Sequence, residues 1–267
     1  MTPRRTRPTI NQVAEAAGVT KSSVSRAFTR PEMLSKETIS KIFAAAEALG
    51  YVPNRTARAL STGRHGNIEL IVTDVANPFF PPLIRSAQLE AERFDYCVFL
   101  GNSDEQPKQE DKLIARFGGQ VEGFLLVSSR LSDEQITDLA SRRPVVLINR
   151  DVEGIPRVLI DSATGVTQAV QHLASLGHRK IVYVSGPQSS WSNRQRRNAI
   201  KLAAKEHDIE VIVIANEYPS FEAGRRTTPN VLASSATAVI AFDDLTAQAM
   251  LAELLEQGIS VPEQISV

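Results

Sequence analysis

Residues 9–28 read TINQVAEAAGVTKSSVSRAF, the pattern of two short helices joined at Gly18. Thr9 and Gln12 stand at T-x-x-Q spacing, a capping box in which each side chain satisfies a backbone N–H that a first helical turn leaves open. Ile10, Val13, Ala14 and Ala17 then fall at i, i+3, i+4 and i+7, one apolar stripe. Gly18 takes the left-handed conformation that ends a helix without penalty, and Thr20 is placed to cap the second helix. That helix points Val24, Ala27 and Phe28 inward and leaves Lys21, Ser22, Ser23, Ser25 and Arg26 mostly outward. A face of small hydroxyls and cations suits phosphates and base edges, because arginine pairs with guanine O6 and N7 through two bonds. The reading is a helix-turn-helix that lies in a DNA groove; a small helical bundle without that partner shows the same periodicity.

The pattern continues outward from this pair. Ser35 begins a third helix, with Ile39, Ile42, Phe43, Ala46 and Leu49 at helical spacing and Gly50 to end it. Val52-Pro53-Asn54 stops the helix, since proline lacks an N–H and restricts the residue before it. A very short helical stretch from Arg55 to Leu60 follows, capped by Asn54 and closed by Gly63, too short to be stable alone in water. Charge separates this head from the rest of the chain. The 267 residues carry no net charge, yet residues 1–65 hold eleven Lys or Arg against four Glu, a net +7. The remaining 202 residues carry 19 basic and 26 acidic side chains, a net −7. Such asymmetry reads as a nucleic-acid-binding head on an acidic body. A solvated basic tail would account for Arg4, Arg5 and Arg7, but fits poorly with Lys21, Arg26, Arg55 and Arg58, which sit in patterned segments.

In these segments the sequence resembles the lactose-repressor (LacI/GalR) family of bacterial transcription regulators. The motifs that carry the resemblance are TINQVAEAAGVTKSSVSRAF, EALGYVPNRTARAL, NPFF, GHRKIVYVSGP and VPEQISV, in the family's order along nearly the whole chain. The resemblance implies that Lys21, Ser22 and Arg26 read bases, with Thr9, Thr20, Ser23 and Ser25 at the same DNA face. It implies that residues 55–60 form a hinge helix that orders when two subunits sit together on an operator, with Asn54 and Arg55 at its start. A leucine matching Leu60 would wedge into the minor groove while Ala57 faces the partner helix; wedging costs unstacking energy that the bent DNA offsets. As a core residue, Leu60 would instead belong to a satellite cluster.

Composition bounds the remainder. The length suffices for a small head and a two-lobed body with sizeable cores. The single cysteine, Cys97, lies in the apolar run 96–100 and is expected to be a buried strand residue; one cysteine permits no intrachain disulfide, which fits a reducing cytoplasm. The basic start MTPRRTR is followed by no apolar h-region, and no segment approaches 18 apolar residues, so secretion and membrane spanning are not expected.

From residue 67 short apolar runs at 68–72, 96–100, 123–127 and 144–148 alternate with helical stretches near 80–94, 106–117 and 133–141. After Pro156 the rhythm resumes with runs at 158–160, 180–184, 211–215 and 237–242, separated by helical stretches near 163–176, 193–207, 221–233 and 245–257. Alternation of this kind means parallel sheets covered on both faces. Two blocks predict two lobes, with a ligand at the carboxyl ends of the strands. The family resemblance implies the same, a periplasmic-binding-protein-like body with a small-molecule effector in its cleft. The predicted organisation is a helix-turn-helix domain over 1–53, a hinge and linker over 54–66, and the α/β effector-binding body over 67–267.

Several residues stand where such a cleft would be. Asp74, Asn77, Phe79 and Phe80 follow the first strand and open a helix, and Asn149 and Arg150 follow the fourth. Arg196 matches the family's effector-contacting arginine, and Asp243 follows the 237–242 run where the family usually has Asn. Amide, carboxylate and guanidinium groups around aromatic rings suit a sugar or similar polyol, since hydroxyls both donate and accept. Plainer roles compete: one of Phe79 and Phe80 in the core, Arg150 in a surface ion pair, Asp244 as a helix cap. Trp191 either stacks on a sugar face or covers the lobe edge. The chain departs from the family at Asp161-Ser162, Ala199-Ile200 and Asp243, which leaves the effector class open; a charged Asp243 favours hydroxyl-rich or cationic ligands over anionic ones.

The chain ends at Val267 inside an apparent strand, where family members continue for several tens of residues. The expectation is a C-terminally truncated body with an exposed edge and an uncovered apolar face on each sheet. Three readings of function compare as follows. The first is an effector-controlled operator-binding regulator, a homodimer on a roughly palindromic duplex. The second, a solute-binding sensor without a DNA role, conflicts with the +7 head and the missing signal peptide. The third, a hydrolase using Asp243 and Asp244, lacks support, since no G-x-S-x-G, P-loop or metal-ligand spacing is present and adjacent carboxylates at a strand end usually point different ways. No cofactor or metal is expected.

Overall fold

A computed structural model of the chain describes residues 8–52 and 65–267. The chain divides into two compact units, Met1–His65 and Gly66–Val267. In the first, α1 (Ile10–Ala17) starts at Thr9, whose hydroxyl accepts the Gln12 N–H at 3.4 Å while the Gln12 carboxamide oxygen accepts the Thr9 N–H at 2.8 Å. Gly18 closes α1 at φ 65°, the left-handed region that a side chain would oppose. The second helix, α2 (Lys21–Thr29), starts at Thr20, whose hydroxyl accepts the Ser23 N–H at 3.1 Å. A 3₁₀ turn, Pro31–Met33, which the apolar spacing does not announce, leads to α3 (Lys36–Leu49), capped by Ser35 and ended by a left-handed Gly50.

Val13, Ala14, Val24, Ala27, Ile42 and Ala46 form the core of this head, and Ile42 is fully buried. Phe28 covers one side, its ring edge-on to Phe43 at 5.1 Å and tilted against Tyr51 at 5.9 Å. The expected hinge, with Asn54, Arg55, Ala57 and Leu60, lies outside the described residues.

The second unit is built from two parallel sheets. The first lobe runs β1 (Asn67–Val72), α4 (Phe80–Arg93), β2 (Cys97–Asn102), α5 (Pro107–Phe117), β3 (Phe124–Val127), α6 (Asp133–Arg142), β4 (Val145–Ile148) and β5 (Arg157–Val158). Its strands are ordered β2-β1-β3-β4-β5. The second lobe runs α7 (Ser162–Ser175), β6 (Lys180–Ser185), α8 (Trp191–Glu206), β7 (Glu210–Ala215), α9 (Phe221–Ala233), β8 (Ala238–Ala241) and α10 (Asp244–Glu256), with strand order β7-β6-β8.

Strand alternation distributes the cores. Ile71, Phe124, Leu126, Val145 and Leu147 face α5 and α6, while Leu70, Val72 and Val127 face α4. In the second lobe Ile181 and Tyr183 pack on α7 and α8, and Val182 and Val184 on α9 and α10. Sheets covered on both faces explain why these strands read as continuous apolar runs.

Three expectations are corrected. The run 158–160 does not open the second sheet: Arg157–Val158 pairs with β4 as the last edge of the first, and Val158 is exposed because an edge strand has one neighbour. Cys97 lies in a strand as expected, but at the start of edge strand β2, where it is exposed. The cap of α10 is Asp243, which accepts the Thr246 N–H at 2.9 Å; Asp244 is the first helical residue. Toward residue 267, Ser266 forms a single parallel bridge with Ala238, and Ile265 is buried against α9 and α10. On the α4 side of the first sheet runs an apolar groove of about 490 Å³, lined by Ile68, Leu83, Ala87, Phe94, Leu125 and Ile148. Among the described residues, no helix is long and apolar enough to cross a membrane.

Candidate functional site

The head offers one face. Lys21, Ser22, Ser25 and Arg26 are exposed along α2, held in place by the buried Val24 and Ala27 on its other side. Thr9 and Thr20 are exposed at the starts of α1 and α2, each engaged in its cap. Ser23 is half-buried, its hydroxyl 3.0 Å from that of Thr20, so it steadies the start of α2 more than it reaches outward. No acidic residue occupies the first turn of either helix, which leaves their positive N-terminal ends uncompensated.

In the second unit, the carboxyl ends of the strands border a cleft of about 650 Å³ between the lobes. Its floor in the first lobe is a polar row. Thr73, Ser128 and Asn149 follow β1, β3 and β4, whose register places them side by side. Ser128 and Asn149 adopt φ of 51° and 54°, strained for residues with side chains. Asn149 Nδ2 donates to Ser128 Oγ at 3.2 Å, while Asn149 Oδ1 and Thr73 Oγ1 are buried with no partner among the described residues. Buried polar atoms without a partner are costly, and here the cost is borne within the wall of the cleft.

Beside this row, Arg130 is buried and ion-paired with Glu105 at 2.5 Å, and its Nη1 donates to the Ser128 carbonyl at 2.7 Å. The Arg130 N–H donates to Glu110 at 2.9 Å. Burial lifts the Glu110 carboxyl above its ordinary range, against the opposing pull of the Ser129 hydroxyl and the Arg130 N–H and charge. The Arg130 charge is therefore locked within the wall.

The second lobe contributes Ser192 and Arg196 from α8 and Phe242, Asp243 and Asp244 from the end of β8. Arg196 donates to the Phe242 carbonyl and lies over the Phe242 ring, 5.0 Å from its centre. That ring fits because position 186 is glycine; a Cβ there would stand 2.5 Å from it. Beneath, Asn193 joins the turn after β6 to the start of α8: its Nδ2 donates to the Gly186 and Pro187 carbonyls, and its Oδ1 accepts the Tyr183 hydroxyl at 2.9 Å. Burial pushes the Tyr183 phenol up to about 12, so it stays a donor.

Of the residues expected at the cleft, Asn77, Phe79, Phe80, Asn149, Arg196 and Asp243 line it together. Phe80 is 5% exposed and doubles as a core residue, while Phe79 is 45% exposed; the rings meet edge-on at 5.1 Å. The other three expected residues stand outside its lining. Arg150 turns into the first lobe, donating to Asp133 at 2.5 Å and to the Leu131 carbonyl, so its charge is spent inside the wall. Asp74 accepts the Ala76 N–H at 2.9 Å and shapes the turn. Trp191 is the half-buried first residue of α8. Sequence reasoning missed Thr73, Glu105, Ser128, Arg130, Ser192 and Phe242. Only the strand-end rule could have found Thr73 and Ser128.

Comparison with known proteins adds the following. Residues 9–54 match the family model described as bacterial regulatory proteins, lacI family, and residues 65–267 match that of periplasmic binding proteins and sugar binding domain of LacI family. The ribose operon repressor of Bacillus subtilis (strain 168) is 33% identical over 262 residues, 97% of this chain and 80% of that protein. Among solved structures, the lac repressor dimer bound to operator and the anti-inducer ONPF aligns with a TM-score of 0.84 at 24% identity, over 98% of this chain and 82% of that one, a likeness of fold. The transcriptional regulator CelR in complex with cellobiose aligns with a TM-score of 0.65 at 28% identity, over the same shares of the two chains.

Proposed function

Because the chain belongs to the LacI family of bacterial regulatory proteins, we propose that it represses transcription by binding an operator through its head and releases or tightens that grip when a small molecule occupies the cleft of its body. The working form is a homodimer that sets two α2 helices in successive major grooves of a pseudo-palindromic duplex. The protein acts in the cytoplasm, by binding alone, and catalyses no reaction.

The observation that carries this reading is α2, a helix whose exposed face holds Lys21, Ser22, Ser25 and Arg26 while Val24 and Ala27 are locked beneath. Lys21, Ser22 and Arg26 read base edges, the Ser25 hydroxyl supports them, and Thr9, Thr20 and Ser23 position the helices. At the hinge, Leu60 serves the contact with the minor groove, Ala57 the contact with the partner subunit's hinge, and Asn54 and Arg55 its start. For the cleft, a sugar or related polyol matches the polar row of Thr73, Ser128 and Asn149, the Phe79 ring and the Arg196 guanidinium. Asp74, Arg150 and Trp191 act around this site by shaping its walls.

Two measurements test the reading. A binding site is first selected from random duplex DNA with the unaltered protein. Arg26→Ala is then expected to weaken that site by roughly 1–3 kcal/mol and to relax selectivity at one base pair, the worth of one good base contact. Unchanged discrimination would remove Arg26 from base reading. For the cleft, titration calorimetry with a panel of sugars should give at least about a tenfold loss for Arg196→Ala, since hydrogen bonds to charged groups contribute about 1.5–3 kcal/mol. Equal affinity of both proteins for the sugar that binds would take Arg196 out of the site.

A further inference from the structure

Two side chains from opposite lobes meet across the cleft. Asn77, in the turn between β1 and α4, accepts the Phe79 N–H with Oδ1 at 3.0 Å and donates from Nδ2 to Asp243 Oδ2 at 2.8 Å. Asp243 in turn accepts the Thr246 N–H with Oδ1 at 2.9 Å, the cap of α10. Each residue therefore anchors its own lobe with one atom and reaches the other lobe with the second. Both side chains are fixed before they meet, so the bond between them forms with little further loss of rotamer freedom. It is charge-assisted, and the N-terminal end of α10 favours the Asp243 anion.

The geometry points to a latch: the Asn77–Asp243 bond holds the two lobes in their closed arrangement, and breaking it is a step in the opening of the cleft. Neither lobe needs the bond for its own fold, because each turn keeps its anchor without it. Its energy therefore acts on the arrangement of the lobes alone. A bond that biases one of two arrangements shifts their populations by its own differential free energy. The latch is independent of which small molecule occupies the cleft and of which bases α2 reads.

The test reads lobe separation in the full chain, with neither sugar nor DNA present. Cys97 is replaced by Ser, and spin labels are attached at Glu92→Cys on α4 and Lys201→Cys on α8, both exposed positions. Double electron–electron resonance then gives the distance distribution, with labelled protein diluted in unlabelled. Asn77→Asp sets two carboxylates face to face while keeping the acceptor for the Phe79 N–H. It should shift the closed-to-open ratio about tenfold toward longer distances, the scale of one charge-assisted bond. The exchange Asn77→Asp with Asp243→Asn restores a carboxylate–amide pair with donor and acceptor swapped and keeps both anchors; it should return the distribution to that of the parent. An unchanged distribution in Asn77→Asp would overturn the latch, as would an exchanged protein that stays as open as the single variant.

Discussion

Replacing Ile42 by Ala is expected to unfold the head and abolish operator binding while the body keeps its fold. Ile42 is fully buried where α3 meets the Val13–Ala14 face of α1 and the Val24–Ala27 face of α2. Removing its side chain costs about 2–5 kcal/mol in lost transfer and residual cavity. Small units bury a smaller share of their surface and stand close to the stability threshold, so a loss of this size is decisive here. The core has little else to draw on, since Phe28, Phe43 and Tyr51 lie at its margin rather than at its centre. Thermal melts followed by circular dichroism should show the body's transition unchanged, and a gel-shift titration should show no specific complex. A variant that binds its selected site within about twofold of the parent would mean that the head tolerates the cavity, against the range cited.

The body should gain stability at alkaline pH when Glu69 becomes Leu. Glu69 lies in β1 on the face that meets α5, in register with Phe99 and Phe124 on the neighbouring strands. It is fully buried, and neither carboxylate oxygen has a partner among the described residues. Burial pushes its carboxyl up to about 7. A folded value above the unfolded one means that the folded state holds the proton more tightly. Stability is therefore greatest below the unfolded value, falls as pH rises toward about 7, and stays reduced above it. The loss over that range is about 3 kcal/mol, from 1.36 kcal/mol for each unit. Leucine removes the titration at similar volume, so urea melts should show the variant ahead by about 3 kcal/mol at pH 8 and by under about 1 kcal/mol at pH 5. Parallel stability profiles for the two proteins would show that Glu69 is ionised at little cost.

Much of the architecture is local enough to be read from the chain. The Thr9–Gln12 box, the left-handed Gly18 and Gly50, and the Ser35 cap depend on neighbours within a turn, and all appear as expected. The parallel strands announce themselves because both faces are buried, so β6 is apolar along nearly its length. What was not legible depends on partners distant in sequence. Val158 to Ile160 is apolar, but nothing near it says that its first residue, with Arg157 before it, will pair with β4. Cys97 sits in an apolar run, and its exposure follows from β2 having a neighbour on one side alone. The cleft shows the same division. Asn77, Asn149, Arg196 and Asp243 stand out by type and place, whereas Thr73 and Ser128 are ordinary residues until the register sets them in a row. Arg150 and Arg130 look alike in the chain, yet one points away from the cleft and the other lines it.

Every strand pairing in the body is parallel, and this sorts its connections into two populations with different freedom to change. Segments that leave a strand, such as 73–79, 128–132 and 242–243, converge on the cleft. Segments that leave a helix to start the next strand gather at the opposite ends of the sheets. Diversity confined to the first population would recast what the body responds to while leaving both cores intact. Reporter tags or fluorescent insertions belong in the second. One scaffold could thus be retuned as a biosensor at one rim and instrumented at the other, with the two operations kept apart by strand direction.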